Sequence, residues 1–295
     1  MNPAEYRKQL TARIIEQLEA GTAPWIKPWN PANVPAGSPF NAITMRNYQG
    51  GNRLWLDCQS YADPRWCTYK QAAENNWQVR KGERASVVEY WQWEKEEKDA
   101  NGNRVRLKLD VPRVYYAHIF NVSQMEGVPE RMLPVSVWHG DLQAEKILAN
   151  SEARIIHDQR DAAFYAPRTD EIHLPPKPAF ENAPRYYATA LHELGHWTGH
   201  SDRLNRDLVH KFGTADYARE ELRAEMASYF VSSNLGIAHD PGQHASYIAS
   251  WIVALRKDHN ELFRAAKDAE QISDYVLQFS KEKQVERYVE EELEC

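Results

Sequence analysis

The chain has 295 residues, of which 42% are hydrophobic and 26% charged, with a mean hydropathy of -0.71 and a formal net charge of -6. This composition excludes a disordered chain, and no apolar run approaches the ~20 residues of a membrane-spanning helix, so we expect no membrane partner. Residues 1–21 mix charges among their apolar positions, so we do not expect them to be a secretory signal, and the three cysteines have neither metal-clip nor disulfide-framework spacing. We therefore expect a globular, cytoplasmic protein with reduced thiols, long enough for two domains that each bury a core.

Charge and aromatic residues are unevenly distributed along the chain. Residues 1–125 hold 17 Lys+Arg against 13 Asp+Glu, the remainder holds 19 against 29, and seven of the ten tryptophans lie in the first part. Such a change in composition marks a domain boundary. The segment that follows residue 126 contains glycine and prolines and is typical of a linker. We predict a first domain over 1–126, a linker over 127–138 and a second domain over 139–295.

The first domain is predicted to be α+β. Its opening segment has apolar residues at helical spacing and ends at Gly21, which predicts a helix. The five prolines within 24–39 exclude a helix or a central strand and predict an ordered loop or an extended arm. A short helix is expected over 70–77. Two alternating runs joined by an Asn-Gly sequence within 99–103 predict a hairpin or a longer β connection.

Cationic side chains of this domain lie next to aromatic ones in the sequence. A basic groove with exposed aromatic rings binds single-stranded nucleic acid without strong sequence preference. The alternative is ordinary packing, because tryptophans usually fill cores and scattered Lys and Arg usually lie on a solvated surface. If the first interpretation holds, the nucleic-acid contacts are Trp25, Trp29, Arg46, Tyr48, Trp66, Tyr69, Lys70, Arg80, Lys81 and Arg84.

The second domain contains the segment APRYYATALHELGHWTG, which is predicted to form a helix capped by Asn182 and ended by Gly199. Residues i and i+4 share one helix face, so His192 and His196 can bind one Zn²⁺, with Mn²⁺ as another divalent candidate. Glu193 lies about 100° further round the helix, where it can act on a metal-activated water. This is the HExxH pattern of metallopeptidases, in which the glutamate passes a proton to the leaving amine. The alternative is a helix that carries these residues as solvated charge.

Three residues are candidates for the third metal ligand. Glu221 ranks first, because it precedes Glu225 by one helical turn in a pattern that resembles the glutamate zincins. In that arrangement the first acid binds zinc and the second holds a zinc-ligating histidine in its proper tautomer. Asp202 ranks second, since it stands where the metzincin spacing has its third histidine. His200 ranks third, because Gly199 is expected to end the helix before it. Alternatively, the acids of this segment simply solvate a helix.

A strand and several tyrosines are candidates to complete a substrate site. The stretch AAFYAPRTDEIHLP alternates and contains a turn-like sequence, so we predict a hairpin. Zincin folds pair a peptide substrate with an edge strand that lies over the metal, and resemblance to them makes this hairpin the candidate for that strand. Tyr186, Tyr187 and Tyr217 are candidates to stabilise an oxyanion, with buried packing as the alternative for each.

Several long stretches together resemble one family: PWIKPWN, WCTYKQA, VRKGERAS, HIFNVSQMEG, AFYAPRTDEIHLP, YYATALHELGHWTGHSDRLNR and YAREELRAE. They resemble plasmid-borne antirestriction proteins of the ArdC type and the related N-terminal region of TraC-type plasmid primases. The resemblance implies an α+β domain that binds single-stranded DNA, followed by a zincin-like metallopeptidase domain. It assigns the peptidase roles to His192, Glu193, His196 and Glu221, and it implies a conjugative element whose incoming DNA escapes restriction.

Two functions therefore stand as hypotheses. The first is a DNA-associated zinc peptidase with a protein substrate, for which the host restriction machinery is a candidate. The second is a non-catalytic protein that shields single-stranded DNA and holds its metal for structural reasons.

Overall fold

The computed structural model of the chain describes residues 3–23, 25, 38–59, 61–98, 104–130, 140–208, 210, 213–237, 239–240 and 245–281. The predictions for Trp29, for most of the proline-rich arm (26–37) and for most of the linker (131–138) lie outside these residues.

The first part of the chain is α+β, as predicted. Helix α1 ends two residues before Gly21, whose φ of 65° is a left-handed conformation that glycine adopts without strain. A four-stranded sheet with the order β1-β2-β5-β4 follows, and β3 pairs with β6 in a separate two-stranded ribbon. The elements are α1 (Pro3–Glu19), β1 (Phe40–Asn41), α2 (Gly50–Asp57), β2 (Arg65–Thr68), α3 (Tyr69–Glu74), β3 (Gln78–Val79), β4 (Ser86–Lys98), β5 (Arg104–Asn121) and β6 (Met125–Glu126).

The predicted hairpin and short helix are both present. Strands β4 and β5 pair antiparallel from Ser86 opposite Ile119 out to Lys98 opposite Arg104, on either side of 99–103. The short helix α3 begins after Thr68, whose side chain forms a capping box with Gln71.

The second part of the chain combines five helices with a small three-stranded sheet among its described residues. This sheet has the order β7-β9-β8, so β8 lies at an edge, and β8 and β9 form the predicted antiparallel hairpin. The elements are α4 (Gly140–Asn150), β7 (Arg154–Ile156), β8 (Phe164–Ala166), β9 (Glu171–His173), α5 (Ala183–Trp197), α6 (Ala215–Leu235), α7 (Ala245–Lys257) and α8 (Glu261–Leu277).

The two parts share one hydrophobic core. Helix α1 packs against α7 and α2 against α8, so that Trp66 belongs to the same buried cluster as Phe230 and Leu262. Arg53 on α2 is fully buried and pairs with Glu270 on α8 at 3.1 Å. The first part also has a small buried cluster of its own, formed by Cys67, Ala72, Val79 and Met125. Its helices α1 and α2, however, bury their apolar faces against helices of the second part.

Two further observations bear on the expectations from composition. In the part of the chain that the structure describes, no helix has the length and apolar content needed to cross a bilayer. Cys58 and Cys67 are buried free thiols, and Cys295 lies outside the described residues.

Candidate metal centre

Helix α5 carries the two histidines of the HExxH sequence. The side chain of Asn182 accepts a hydrogen bond from the Arg185 N–H at 2.9 Å, which caps the helix start, and the helix ends at Trp197. His192 and His196 therefore lie on one face, one turn apart, with ring centroids 4.8 Å from each other.

Helix α6 crosses α5 at short range and brings a carboxylate to these histidines. A Cβ on Gly195 would lie 3.6 Å from the Cα of Ala224, so small residues at both positions allow the close approach. Thr214 caps the start of α6, and Gly236 ends it in the left-handed conformation. The crossing places Glu221, in the second turn of α6, opposite both histidines.

Ligand atoms of His192, His196 and Glu221 all lie within 4.8 Å of one another. The Nε2 atoms of the two histidines are 3.1 Å apart, and each lies 3.5 Å from a different carboxylate oxygen of Glu221. Two imidazole nitrogens and one carboxylate oxygen are a donor set that suits Zn²⁺ and related divalent ions. The residues present therefore fit a metal of this class.

Each histidine is oriented by a carboxylate on its other ring nitrogen. Nδ1 of His192 lies 3.0 Å from Glu225, and Nδ1 of His196 lies 3.3 Å from Glu220. When Nδ1 donates to a carboxylate, the proton stays on Nδ1 and the Nε2 lone pair faces the ligand group. Glu225 thus lies against Nδ1 of His192, and Glu220 lies in the equivalent position at His196.

Glu220 is in turn held by an arginine from the loop after α5. Nη2 of Arg206 donates to the Glu220 carboxylate at 2.8 Å and to the carbonyl oxygen of Gly195 at 2.8 Å. Nη1 of the same guanidinium donates to the hydroxyl of Thr198 at 2.8 Å. Arg206 therefore joins the end of the metal helix to the carboxylate that orients His196.

Burial and charge act in opposite directions on the ionisation of these groups. Burial disfavours the charged imidazolium, but the surrounding carboxylates outweigh it and raise the pKa of His196 to about 9 and that of His192 well above its ordinary value. Burial also opposes ionisation of Glu221, but the two histidines hold its pKa far below its ordinary value. For Glu193, burial dominates and raises the pKa. Glu193 is therefore a better proton acceptor than an exposed glutamate.

Glu193 points into a cleft that is bordered by the sheet edge. The backbone of Tyr165 on β8 hydrogen-bonds to the Glu193 carboxylate, which fixes it beside the metal group. The cleft has a volume of about 1030 Å³, and its walls include the ligand group, Phe164 of β8 and Phe180. A cleft of this size, with one sheet edge and a few converging polar groups, suits an extended peptide.

The three tyrosines predicted as oxyanion candidates occupy different places. Tyr186 is buried and stacks on His157, and buried Tyr187 donates its hydroxyl hydrogen to Glu145 at 2.8 Å. Tyr217 lines the cleft, where its hydroxyl lies 3.3 Å from that of Tyr247. The structure therefore shows a packing role for Tyr186 and Tyr187. Tyr217 lines the cleft and stays a candidate to stabilise an oxyanion.

The other two candidates for the third ligand lie outside the ligand group. The Asp202 side chain is 84% exposed, and its backbone N–H donates to Nδ1 of His200 at 3.3 Å. Both residues follow the end of α5 at Trp197, so His200 does not continue the i+4 series of the two histidines on the helix.

The predicted nucleic-acid contacts divide into buried and exposed residues. Trp25 and Trp66 are 0% and 1% exposed, so neither indole has a face that a base can reach, and these two predictions are corrected. Trp66 lies on β2, between β1 and β5 in the sheet, and both indoles pack into the shared core. Tyr48 is partly buried. The exposed members of the predicted set are Arg46, Tyr69, Lys70, Arg80, Lys81 and Arg84.

Part of this exposed set forms a shallow groove. Tyr69, Arg80 and Lys81 line a depression of about 590 Å³ together with Phe120. The Tyr69 side chain is 56% exposed and meets the Phe120 ring in an edge contact. Glu83 and Glu126 line the same depression, and Arg80 pairs with Glu83 at 3.0 Å. An exposed ring that shares a groove with cations has the chemistry needed to stack a base beside a phosphate.

Sequence reasoning did not identify Glu220, Arg206 or Tyr247 as members of the site. Glu220 was considered only among the acids that could solvate α6, because a run of acids does not reveal which one faces another helix. Arg206 lies in the SDRLNR sequence, whose spacing matches no metal pattern, and its role depends on the path of the loop. Tyr247 is distant in sequence and carries no local signal.

Both parts of the chain match known families. A family model of zincin-like metallopeptidases matches residues 142–268, and a model of the N-terminal domain of the anti-restriction factor ArdC matches residues 4–122. Two Escherichia coli proteins named DNA primase TraC are each 49% identical, over 98% and 95% of this chain. The chain spans only 28% and 20% of the lengths of these two relatives.

Relatives of similar length are known too. A Sinorhizobium fredii protein named uncharacterized protein y4eC is 34% identical, with 93% of this chain and 92% of that protein covered. Crystal structures of the antirestriction protein ArdC from plasmid R388, one metal-free and one Mn(II)-bound, superpose with TM-scores of 0.73 and 0.74 at 33% and 32% identity. They cover 93% and 94% of this chain, and 97% and 99% of the R388 protein. At this identity and coverage, the chain belongs to the ArdC family of antirestriction proteins and contains its zincin-like domain.

Proposed function

We propose that this chain is a zinc-dependent peptidase that associates with single-stranded DNA and acts on a protein substrate in the cytoplasm of a cell that receives a conjugative element. The observation that carries the peptidase assignment is the convergence of His192, His196 and Glu221, with Glu193 beside them in a cleft edged by β8. The relative from plasmid R388 was solved with Mn(II), which supports a divalent cation and leaves zinc as our proposal.

The chain's own residues suit peptide hydrolysis. His192, His196 and Glu221 would hold the cation, which when bound supplies a Lewis acid and lowers the pKa of water. Glu193 takes the proton of the attacking water on its carboxylate and delivers it to the leaving amine nitrogen, so that it is regenerated after each turnover. Its raised pKa favours acceptance of the proton, and the hydrogen bond from the Tyr165 backbone keeps the carboxylate in place.

The edge strand gives the substrate a way to bind. The free side of β8 offers backbone N–H and C=O groups with which an extended peptide can pair, as in other β-augmentation complexes. Arg203 holds this hairpin against the metal helix, because its guanidinium donates to Asp170 at 3.0 Å and to the Trp197 carbonyl at 2.7 Å. We propose that an unfolded or extended segment, rather than a folded surface, enters the cleft.

We propose that single-stranded DNA binds to the exposed groove of the first part, with Tyr69 as the stacking ring and Arg80 and Lys81 as phosphate contacts. The exposed positions of these residues and the TraC primase relatives support this assignment. Affinity for an oligonucleotide should fall steeply as the salt concentration rises, because binding releases the counterions that are condensed on the phosphates. Tyr69→Ala should weaken binding by about 1–3 kcal/mol, the usual contribution of one stacked base.

Domain boundaries at 126 and 139 remain our proposal. Limited proteolysis tests them, because we expect the first cleavage to fall within residues 127–138 and not within either predicted domain.

The decisive test of the peptidase assignment is the variant Glu193→Gln. It should keep the divalent metal and DNA affinity of the wild type, because Glu193 is not in the ligand group, and it should lose cleavage of a denatured protein or a peptide library. Antirestriction measured with the same variant separates the two hypotheses. Protection that persists without cleavage supports a DNA-shielding protein with a structural metal, whereas protection that is lost supports the peptidase.

A further inference from the structure

His239 is a fully buried residue that lies between the metal centre and the first part of the chain. It follows the end of α6, and 1% of its surface is exposed. Its Nε2 atom lies 3.2 Å from the backbone carbonyl oxygen of Trp25 and 3.5 Å from Oε1 of Glu225. A carbonyl oxygen and an ionised carboxylate can only accept, so Nε2 carries a proton and donates it to the Trp25 carbonyl, with Glu225 alongside.

Glu225 connects His239 to the metal group. Its second oxygen, Oε2, lies 3.0 Å from Nδ1 of His192, the residue whose Nε2 faces Glu221. The side chains of His239, Glu225 and His192 are 0%, 1% and 5% exposed. The His239–Glu225 contact is a polar contact at 3.5 Å, and the Glu225–His192 contact is a hydrogen bond. Water cannot replace a lost partner at such depth, so each contact in this series fixes the next.

The His239 ring is also held from a second direction. The ring of Tyr229 meets it edge-on, with centroids 5.7 Å apart. The Tyr229 hydroxyl hydrogen-bonds to Asp57 on α2. Both supports of His239, the Trp25 carbonyl and the Tyr229 ring with its Asp57 partner, therefore depend on the first part of the chain.

We propose that His239 is a positioning residue of the metal centre: it holds Glu225 against His192, and the backbone of Trp25 fixes its own place. The metal affinity of the second part then depends on how the first part packs. This inference rests on the metal site of the proposed function, but not on whether that site hydrolyses peptides.

The test is divalent-metal affinity of the full chain, measured with Zn²⁺ by competition with a chromophoric chelator. His239→Leu should weaken binding roughly tenfold or more, in the range found for outer partners of metal ligands. His239→Gln should restore most of the affinity, since its amide N–H can replace Nε2–H. His239→Asn is polar but too short to reach Glu225, so it should weaken binding even if the leucine variant does not fold. His259→Leu, a half-buried histidine outside the cleft, is the matched control.

A second readout addresses the link to the first part. Because linkage is reciprocal, metal binding should slow backbone hydrogen exchange in the peptide that contains Trp25, and this protection should be lost in His239→Asn. The absorption spectrum of the Co²⁺-loaded protein should also change in His239→Asn and return in His239→Gln.

The outcomes separate this inference from the proposed function. Both His239→Leu and His239→Asn remove the contact with Glu225. If both variants bind Zn²⁺ with wild-type affinity, the inference is overturned and the peptidase assignment stands. Wild-type protein that binds no divalent metal overturns both. Metal binding that responds to His239 in a protein that cleaves no peptide supports the inference and contradicts the peptidase.

Discussion

Replacement of Glu220 tests the part of the metal centre that only the structure revealed. The side chains of Glu220 and Arg206 are 9% and 13% exposed, and their charged atoms lie 2.8 Å apart. Removal of one member of a buried ion pair costs about 3–5 kcal/mol, because it leaves the other charge uncompensated. In Glu220→Ala the guanidinium keeps its contacts with Gly195 and Thr198, so we expect the lower value of about 3 kcal/mol.

The expected shift in melting temperature follows from the chain length. With an unfolding entropy of about 2.1 cal/mol/K per residue, a loss of about 3 kcal/mol lowers the Tm of a cooperative 295-residue protein by about 5 °C. The same variant should bind Zn²⁺ roughly tenfold more weakly, since His196 loses the acceptor of its Nδ1 proton.

Differential scanning calorimetry of the chelator-treated protein measures the first effect, and a metal competition assay measures the second. Glu74→Gln is the control, because the Lys70–Glu74 pair is 85% and 60% exposed and should contribute nothing measurable. A Glu220→Ala protein with the Tm and the metal affinity of the wild type would refute the role given to this carboxylate.

Three further predictions concern protons, the substrate strand and the core. Zn²⁺ must displace the protons that the raised pKa values hold on His192 and His196, of which that of His196 is about 9, so apparent affinity should rise at least about tenfold per pH unit below pH 9; a flat titration contradicts this. Arg203→Lys loses the forked contact through which the guanidinium ties Asp170 to α5. The KM for a peptide should therefore rise by a larger factor than kcat falls. An equal effect on KM and kcat argues against a positioning role for Arg203. Trp66→Phe should lower thermal stability but leave oligonucleotide affinity unchanged, because the indole is buried; reduced DNA affinity in a folded variant contradicts its place in the core.

Local sequence signals predicted the elements that local interactions determine. Asn182 caps α5, and the Asn-Gly sequence within 99–103 separates two strands that pair. The one-turn spacing of Glu221 and Glu225 predicted that both acids share a face of α6, and the resemblance of this pattern to the glutamate zincins ranked Glu221 first. These features depend on the chain within a few residues of each position.

The crossing of α5 and α6 could not be predicted in the same way. Glu220 and Glu221 are adjacent in the sequence. Which of them lies at the metal-binding nitrogens of the histidines, and which lies at the other ring nitrogen, depends on the close approach of α5 and α6 at Gly195 and Ala224. The shared core has a similar cause. Composition shows that tryptophans are concentrated in the first part, but whether Trp66 faces solvent or a helix of the second part depends on the packing of α1 and α2.

The most direct test of the account is an anomalous difference map from a crystal of the full chain that contains Zn²⁺, recorded at the zinc absorption edge. We expect one strong peak within about 2.0–2.2 Å of Nε2 of His192, Nε2 of His196 and a carboxylate oxygen of Glu221. A peak coordinated by Asp202 or His200 instead, or no peak between α5 and α6, would contradict the metal centre from which the proposed peptidase is derived.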